Sequence, residues 1–146
     1  MRYAVYELPK KLSLQQFNDI AMFAMEELGL LDLPGYISFE FRDNDEMEAA
    51  YGYVHGCLKD KEYEVELNCD SPVFEITSTI FHELVHVKQI AEGRYVQGNL
   101  RKKNRWLGKI WRDTDPTKFP WELEAYDMEE ALYEKWRSNY EHFRPL

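Results

Sequence analysis

Cysteine is scarce in this chain of 146 residues, and that scarcity narrows the class of protein. Its two cysteines, Cys57 and Cys69, are too few for a disulfide framework and do not form the close pair of a zinc-binding motif. We therefore expect two buried, reduced thiols. No stretch approaches the roughly 18 apolar residues of a membrane span, and the chain starts without the apolar run of a secretory signal. These absences favour a cytoplasmic protein, and a phage-encoded protein acting in the cytoplasm of its host would look the same.

Positively charged residues are also few: the chain has 18 lysines and arginines and 27 aspartates and glutamates, which gives a net charge of −9. Proteins that bind nucleic acid without sequence preference depend on contacts between cations and phosphates, so this balance argues against that class. The length fits a single domain over residues 1–146, and 45% hydrophobic residues can fill its core. No repeat or linker divides the chain.

Histidine occurs only four times, and two of the four stand in the segment H-E-L-V-H at residues 82–86. On a helix, residues four apart lie on one face, so His82 and His86 can direct both imidazoles at one metal ion. Zinc accepts imidazole nitrogen in tetrahedral sites. Glu83 lies about 100° further round the helix, where a general base for a metal-bound water belongs.

The residues around this motif favour a helix from about residue 72 to 92. An apolar stripe at helical spacing runs along it, formed by Ile76, Ile80, Leu84, Val87 and Ala91. Ser71 is a candidate N-cap, Pro72 suits the first turn, and Gly93 suits the C-terminal end. Two buried histidines on an ordinary amphipathic helix would give the same pattern, but the glutamate between them favours the metal site.

A catalytic zinc site needs a third protein ligand, and the chain lacks the commonest one. In H-E-x-x-H-x-x-G-x-x-H proteins a glycine and a histidine follow the motif, but Gln89 and Glu92 occupy those positions here. A glutamate on a later helix is the other solution. Pro120 suits the start of such a helix, and Glu122 and Glu124 both lie at the border of its apolar stripe. Its stripe is formed by Trp121, Ala125, Met128, Leu132 and Trp136.

H-E-L-V-H-V-K-Q followed by P-W-E-L-E-A-Y resembles small zincin-like proteins of phages and bacteria that are described as metallopeptidases. It also resembles the wider gluzincin group, in which a glutamate on a second helix is the third zinc ligand. The resemblance covers the two helices, about a third of the chain. It implies Glu122 as the ligand, because Ala125 follows three residues later as in several of those families, and leaves Glu124 as the alternative. Tyr126 departs from the pattern, so Asp127 is the candidate partner for a zinc-bound histidine.

The rest of the chain predicts an α+β fold. A short strand is expected over residues 3–8, a helix over 13–28 capped by Ser13, and strands over 36–42, 50–57 and 63–69. Residues 43–46 resemble a turn. Because short connections favour antiparallel neighbours, we expect a small, largely antiparallel sheet. The resemblance implies a minimal zincin-like arrangement, with that sheet packed against an N-terminal helix, the H-E-x-x-H helix and a C-terminal helix that carries the glutamate.

Residues 101–112 form a basic and aromatic loop in an otherwise acidic protein. Lys109, Ile110 and Trp111 can pair back across Leu107 and Gly108 as a hairpin over the cleft. The loop has three interpretations: a solvated segment with its tryptophans packed inward, a wall beside the substrate, or a nucleic-acid contact through phosphate pairing and base stacking. The first has the strongest support from residue types alone.

These features predict a zinc-dependent hydrolase, and the resemblance implies a metallopeptidase that acts on peptides or proteins. His82, His86 and Glu122 would hold Zn²⁺, and Glu83 would be the general base. Tyr95 and Tyr126 are both candidate donors to the transition-state oxyanion. The rival hypothesis is a non-catalytic zincin-fold protein that contacts a host protein or nucleic acid through the 101–112 loop.

Overall fold

Four helices and a small mixed sheet make up the α+β fold of this protein. The computed structural model describes residues 1–99 and 101–140. Its elements are, in chain order, β1 (Arg2–Tyr6), α1 (Leu14–Glu27), β2 (Tyr36–Arg42), α2 (Asn44–Met47), β3 (Gly52–Cys57), β4 (Glu62–Asn68), α3 (Val73–Ala91), β5 (Tyr95–Val96), β6 (Arg105–Trp106), β7 (Lys109–Ile110), a 3-10 turn (Pro116–Lys118) and α4 (Pro120–Tyr140).

The main sheet has the strand order β1-β2-β4-β3, and its inner face is apolar. Ile37, Phe39 and Phe41 alternate along β2 with half-buried polar residues, as a strand with one covered face requires. Helix α3 packs against β3 and β4 on one side and against α1 and α4 on the others. It is therefore buried nearly all round, and its histidines lie inside the protein. None of the helices in the described ranges is long and apolar enough to cross a membrane.

The expectation of a largely antiparallel sheet is wrong. Strands β1 and β2 are parallel, β2 and β4 are parallel, and only β3 and β4 are antiparallel within the main sheet. Strand β4 lies between β2 and β3 because its inner side chains, Tyr63, Val65 and Leu67, are all buried and need cover from both neighbours. Strand β3 carries Gly52 and Gly56 on that face and takes the edge.

Most helix boundaries match the sequence, with two local corrections. Ser13 caps α1 by accepting a hydrogen bond from the Gln16 backbone N–H, as expected. The N-cap of α3 is Pro72 and not Ser71, and no side chain caps that end. Residues 43–46 belong to a capped helical turn, α2, because the Asp43 carboxylate accepts the Glu46 N–H and makes a capping box.

The cysteines are free thiols, but they are not both buried as expected. Cys57 is exposed on β3 and Cys69 is half-buried after β4. Cys57 lies on the outer face of the edge strand, and its sulfur donates to the Asp60 carboxylate. The alternation that buries Val54 turns Cys57 outward.

Gly52 allows β3 to approach α3 more closely than any side chain would. A Cβ at this position would lie 2.6 Å from the Thr79 Cγ2 atom and 3.3 Å from the Glu83 Cγ atom. The backbone of the edge strand therefore packs directly against side chains of the motif helix at the level of Glu83.

We predict that Gly52→Ala lowers the free energy of unfolding by about 1–3 kcal/mol, the usual effect of adding a methyl group to a packed contact. The added Thr79→Ser substitution removes the closest atom and should recover part of the loss. Urea denaturation of the two variants and of the wild type measures both effects. Unchanged stability in Gly52→Ala would show that this contact is not tight.

Candidate metal centre

Helix α3 brings His82 and His86 together inside the protein. The two residues are one turn apart, and their ring centroids lie 4.9 Å from each other. Only 8% of His82 and 4% of His86 is exposed, because α4 covers this face of the helix. The predicted helix and the predicted common face of the two histidines are both present.

Glu122 reaches the same point from the first turn of α4. Its Oε2 atom lies 3.5 Å from the His82 Nε2 atom, and its Oε1 atom contacts the His86 Nε2 atom. Ligand atoms of these three residues all lie within 4.8 Å of one another. Trp121, which precedes Glu122, is 3% exposed and fixes this end of α4 in the core.

The hydrogen bonds of the two rings determine which nitrogen faces Glu122. The His82 Nδ1 atom lies 2.9 Å from the Glu129 carboxylate, so it carries the proton and donates it. The His86 Nδ1 atom lies 2.8 Å from the Gln89 Oε1 atom. Gln89 uses its Nε2 group to donate to the Trp121 carbonyl at 3.0 Å, so its oxygen must accept from His86. Both Nε2 atoms therefore present lone pairs to the Glu122 carboxylate.

Three acceptor groups that converge in this way repel one another unless a cation lies between them. Without a metal ion, a proton on a histidine must lie between the ring and the Glu122 carboxylate. Burial opposes the charge on His82, but hydrogen bonds to Glu122 and Glu129 outweigh it and raise the pKa of His82 to about 10. Burial would likewise raise the pKa of Glu122, but hydrogen bonds from His82 and His86 lower it to about 2.

The three residues fit zinc in donor type, and the spacing of His82 and Glu122 fits it as well, whereas Glu122 and His86 lie closer together than two zinc ligands do. Ligand atoms at roughly 2.0–2.1 Å from a tetrahedral zinc lie about 3.4 Å from one another. The 3.5 Å between His82 Nε2 and Glu122 Oε2 is close to that value. Two imidazoles and one carboxylate also form one of the ligand sets of catalytic zinc, which leaves the fourth position for water.

Glu83 lies at the wall of the same cleft, 6% exposed. The cleft is small, about 230 Å³, and lies between β3 on one side and Tyr95, Gln97 and Glu122 on the other. Burial raises the pKa of Glu83, although both histidines act in the opposite direction. A carboxylate with a raised pKa is a better base near neutral pH than an ordinary surface glutamate.

Glu124, the alternative third ligand, is held away from the histidines. Its two carboxylate oxygens accept hydrogen bonds from the Arg94 guanidinium at 3.0 and 2.9 Å, and one also accepts from Gln89 at 3.2 Å. Glu124 thus positions Gln89, which in turn orients the His86 ring. The sequence did not reveal this link, because Arg94 is 30 residues away along the chain.

Asp127 does not contact the histidines, and the expectation that it partners one of them is wrong. It is exposed on the outer face of α4. Glu129 takes that role at His82. The spacing could have indicated it, since Glu122 and Glu129 are seven residues apart and therefore share one helix face.

Of the two histidines outside the motif, only His55 lies in the part of the chain that the structure describes, and it is not at this site. His55 is exposed on the outer face of β3, and His142 lies outside the described residues. Glu40, Glu64 and Glu66 form a second close group on the outer face of the sheet. The Arg42 guanidinium forms ion pairs with all three, so that group already has its cation.

The basic and aromatic loop forms the expected hairpin, in which Arg105–Trp106 pairs with Lys109–Ile110. Strand β5 extends it to a second, three-stranded sheet. Trp106 and Trp111 lie against Trp121, with ring centroids 6.4 and 5.9 Å away, so both rings have internal contacts. Arg94 lies over the Trp106 ring at 5.4 Å. The loop is thereby attached to the same tryptophan that fixes Glu122.

Comparison of the chain with protein-family models, with curated proteins and with solved structures gives no match. The geometry of the site is therefore the basis for any functional proposal.

We predict that Glu129→Ala weakens zinc binding about 10- to 100-fold, the usual effect of removing the hydrogen-bond acceptor behind a metal-binding histidine. Glu129→Gln, which keeps a neutral acceptor, should lie between that variant and the wild type. Titration calorimetry with a competing chelator measures the three affinities. Glu130→Ala is the control, because Glu130 is exposed on the same helix. Equal affinities for Glu129→Ala and Glu130→Ala would contradict the role of Glu129.

Proposed function

We propose that this protein is a zinc-dependent hydrolase that cleaves peptide bonds. The observation that carries the proposal is the convergence of His82 Nε2, His86 Nε2 and the Glu122 carboxylate, with the Nδ1 atom of each histidine ring held by a further hydrogen bond. Such an arrangement is costly for a protein without a cation to bind, because buried acceptors with no donor between them destabilise the fold.

Zinc is the metal that this donor set favours, although manganese, iron and nickel accept the same ligand types. When bound, zinc supplies a Lewis acid and lowers the pKa of a coordinated water toward roughly 7. His82, His86 and Glu122 would hold it, and the buried position of the histidines excludes bulk water from behind the site.

Glu83 is the general base of the proposed reaction. It takes a proton from the attacking water and delivers it to the amine that leaves when the peptide bond breaks. Tyr95 is the better of the two tyrosines as a donor to the oxyanion, because it lines the cleft with Glu83. Burial and the nearby Glu122 raise the pKa of Tyr95 to about 12, so its hydroxyl keeps its proton at neutral pH. Tyr126 is 59% exposed.

A peptide is the substrate class that the wall of the cleft supports. Strand β3 is an edge strand, paired with β4 alone among the described strands, and it runs alongside Glu83. An exposed edge binds an extended peptide through main-chain hydrogen bonds, and this recognition needs no particular side chain. The ligands alone would activate water against other bonds as well, so the edge strand is what favours peptides.

The rival function, contact with nucleic acid or a host protein through residues 101–112, has less support. Its two tryptophans pack against Trp121 and are half-buried, which reduces the ring surface on which base stacking would depend. The cations of the loop remain exposed for contact with an acidic partner.

We predict that Glu83→Gln keeps one zinc per chain but lowers the rate of peptide hydrolysis by about 10²- to 10⁴-fold, the usual contribution of a general base. A quenched-fluorescence peptide library on the zinc-loaded protein measures the rate, and metal analysis measures the zinc. Glu75→Gln on the first turn of α3 is the control and should keep both. Equal hydrolysis by Glu83→Gln and the wild type would end the assignment of Glu83.

A further inference from the structure

The free edge of β3 is partly covered by a side chain of the protein itself. The Gln97 Nε2 group donates to the Val54 carbonyl at 2.7 Å, and the Gly56 backbone N–H donates to the Gln97 Oε1 atom at 3.0 Å. One primary amide therefore satisfies a carbonyl and the N–H two residues further along, as the main chain of an added strand would.

The alternation of the strand shows which groups remain. Because Val54 C=O and Gly56 N–H face this edge, Gly52 C=O and Val54 N–H face it as well, while Tyr53 and His55 pair with β4. The edge thus has two equivalent pairs of hydrogen-bonding groups: the Gly52 carbonyl with the Val54 N–H, and the Val54 carbonyl with the Gly56 N–H. Gln97 occupies the second, and the first lies beside Glu83, where a Gly52 Cβ would be 3.3 Å from its Cγ atom.

Gln97 is held in place by the structure around it. It follows β5, whose Tyr95 ring stacks on Trp121 at a centroid distance of 4.9 Å. On its other side the Gly98 N–H donates to the Asn104 side chain at 2.7 Å. The backbone is therefore fixed on both sides of Gln97, on one side by the stacking of Tyr95 on Trp121 and on the other by the hydrogen bond to Asn104.

We propose that Gln97 marks the end of the peptide-binding edge and limits how much of a substrate lies N-terminal to the cleaved bond. This inference rests on the proposed peptidase function. Antiparallel pairing with β3 is the more stable arrangement for an added peptide. In that arrangement the N-terminal part of the peptide lies at the Gly56 end of β3, and its C-terminal part lies at the Gly52 end. It pairs with Gly52 and Val54 beside Glu83 and then meets the Gln97 amide. The enzyme accordingly favours bonds close to the N-terminus of short peptides.

The test uses acetohydroxamate and N-acetylated hydroxamates of one, two and three alanines, whose peptide part lies on the N-terminal side of the metal-binding group. Calorimetry on zinc-loaded protein measures their affinities. In the wild type, affinity should stop rising after the first alanine. In Gln97→Ala, the three-alanine compound should bind about tenfold more tightly than the one-alanine compound, the effect of one or two added hydrogen bonds.

Gln97→Glu is the second variant, because a carboxylate keeps the size of the side chain but cannot donate to the Val54 carbonyl. It should show the same gain with length. Val96→Ala, a truncation of the exposed residue just before Gln97, is the control and should behave as the wild type. Amide hydrogen exchange at Gly56, protected in the wild type and faster in Gln97→Ala, tests the hydrogen bond itself without any metal or ligand.

The possible outcomes separate the two proposals. Failure of the zinc-loaded wild type to bind acetohydroxamate would refute the zinc hydrolase and this inference with it. Binding of acetohydroxamate, with the same gain in affinity with length in the wild type and in Gln97→Ala, would refute this inference alone. An equal gain in affinity with length in both proteins, together with lower stability of Gln97→Ala, would show that Gln97 stabilises the edge strand and does not limit substrate binding.

Discussion

Two imidazole nitrogens and a carboxylate face one another across the interface of α3 and α4, and the structure around them depends on this contact. Each of the three groups is an acceptor once the outer nitrogens of the rings are committed to Glu129 and Gln89. They stay together only with a metal ion or a proton between them, because three hydrogen-bond acceptors in a buried site repel one another. This requirement for a positive charge is the reason why we propose a metal site here.

The same interface explains how the protein positions candidate ligands that are far apart in the chain. Gln89 bonds to His86, to the Trp121 carbonyl and to Glu124, so one amide links the motif helix to the start of α4. Trp121 is packed between Tyr95 and Phe119. Glu122 is the next residue in the chain, so the packing of Trp121 also fixes the backbone of Glu122. The loop between the helices therefore serves the site by packing, even where it does not line the cleft.

The sequence predicted much of this arrangement, and its failures have physical causes. The helices were predictable because their apolar stripes and caps are local. His82 and His86 follow from motif spacing, whereas Glu122 was implied by the resemblance to gluzincins, with Glu124 as the alternative. Strand order was not, because it depends on which strand has more apolar area to cover, and β4 exceeds β3 in that respect. The partners Glu129 and Arg94 were missed because their contacts join distant segments, and Gln97 because a side chain replaces a strand.

Metal content is the most direct test of the central claim. Plasma mass spectrometry would be applied to protein purified without a His-tag or chelator and then dialysed with zinc, for the wild type, His82→Ala, Glu122→Ala and Glu124→Ala. About one zinc per chain in the wild type and in Glu124→Ala, with loss in the other two variants, is the expected result. A wild type that takes up no metal, or a Glu122→Ala variant that keeps it as firmly as the wild type, would contradict the site described here.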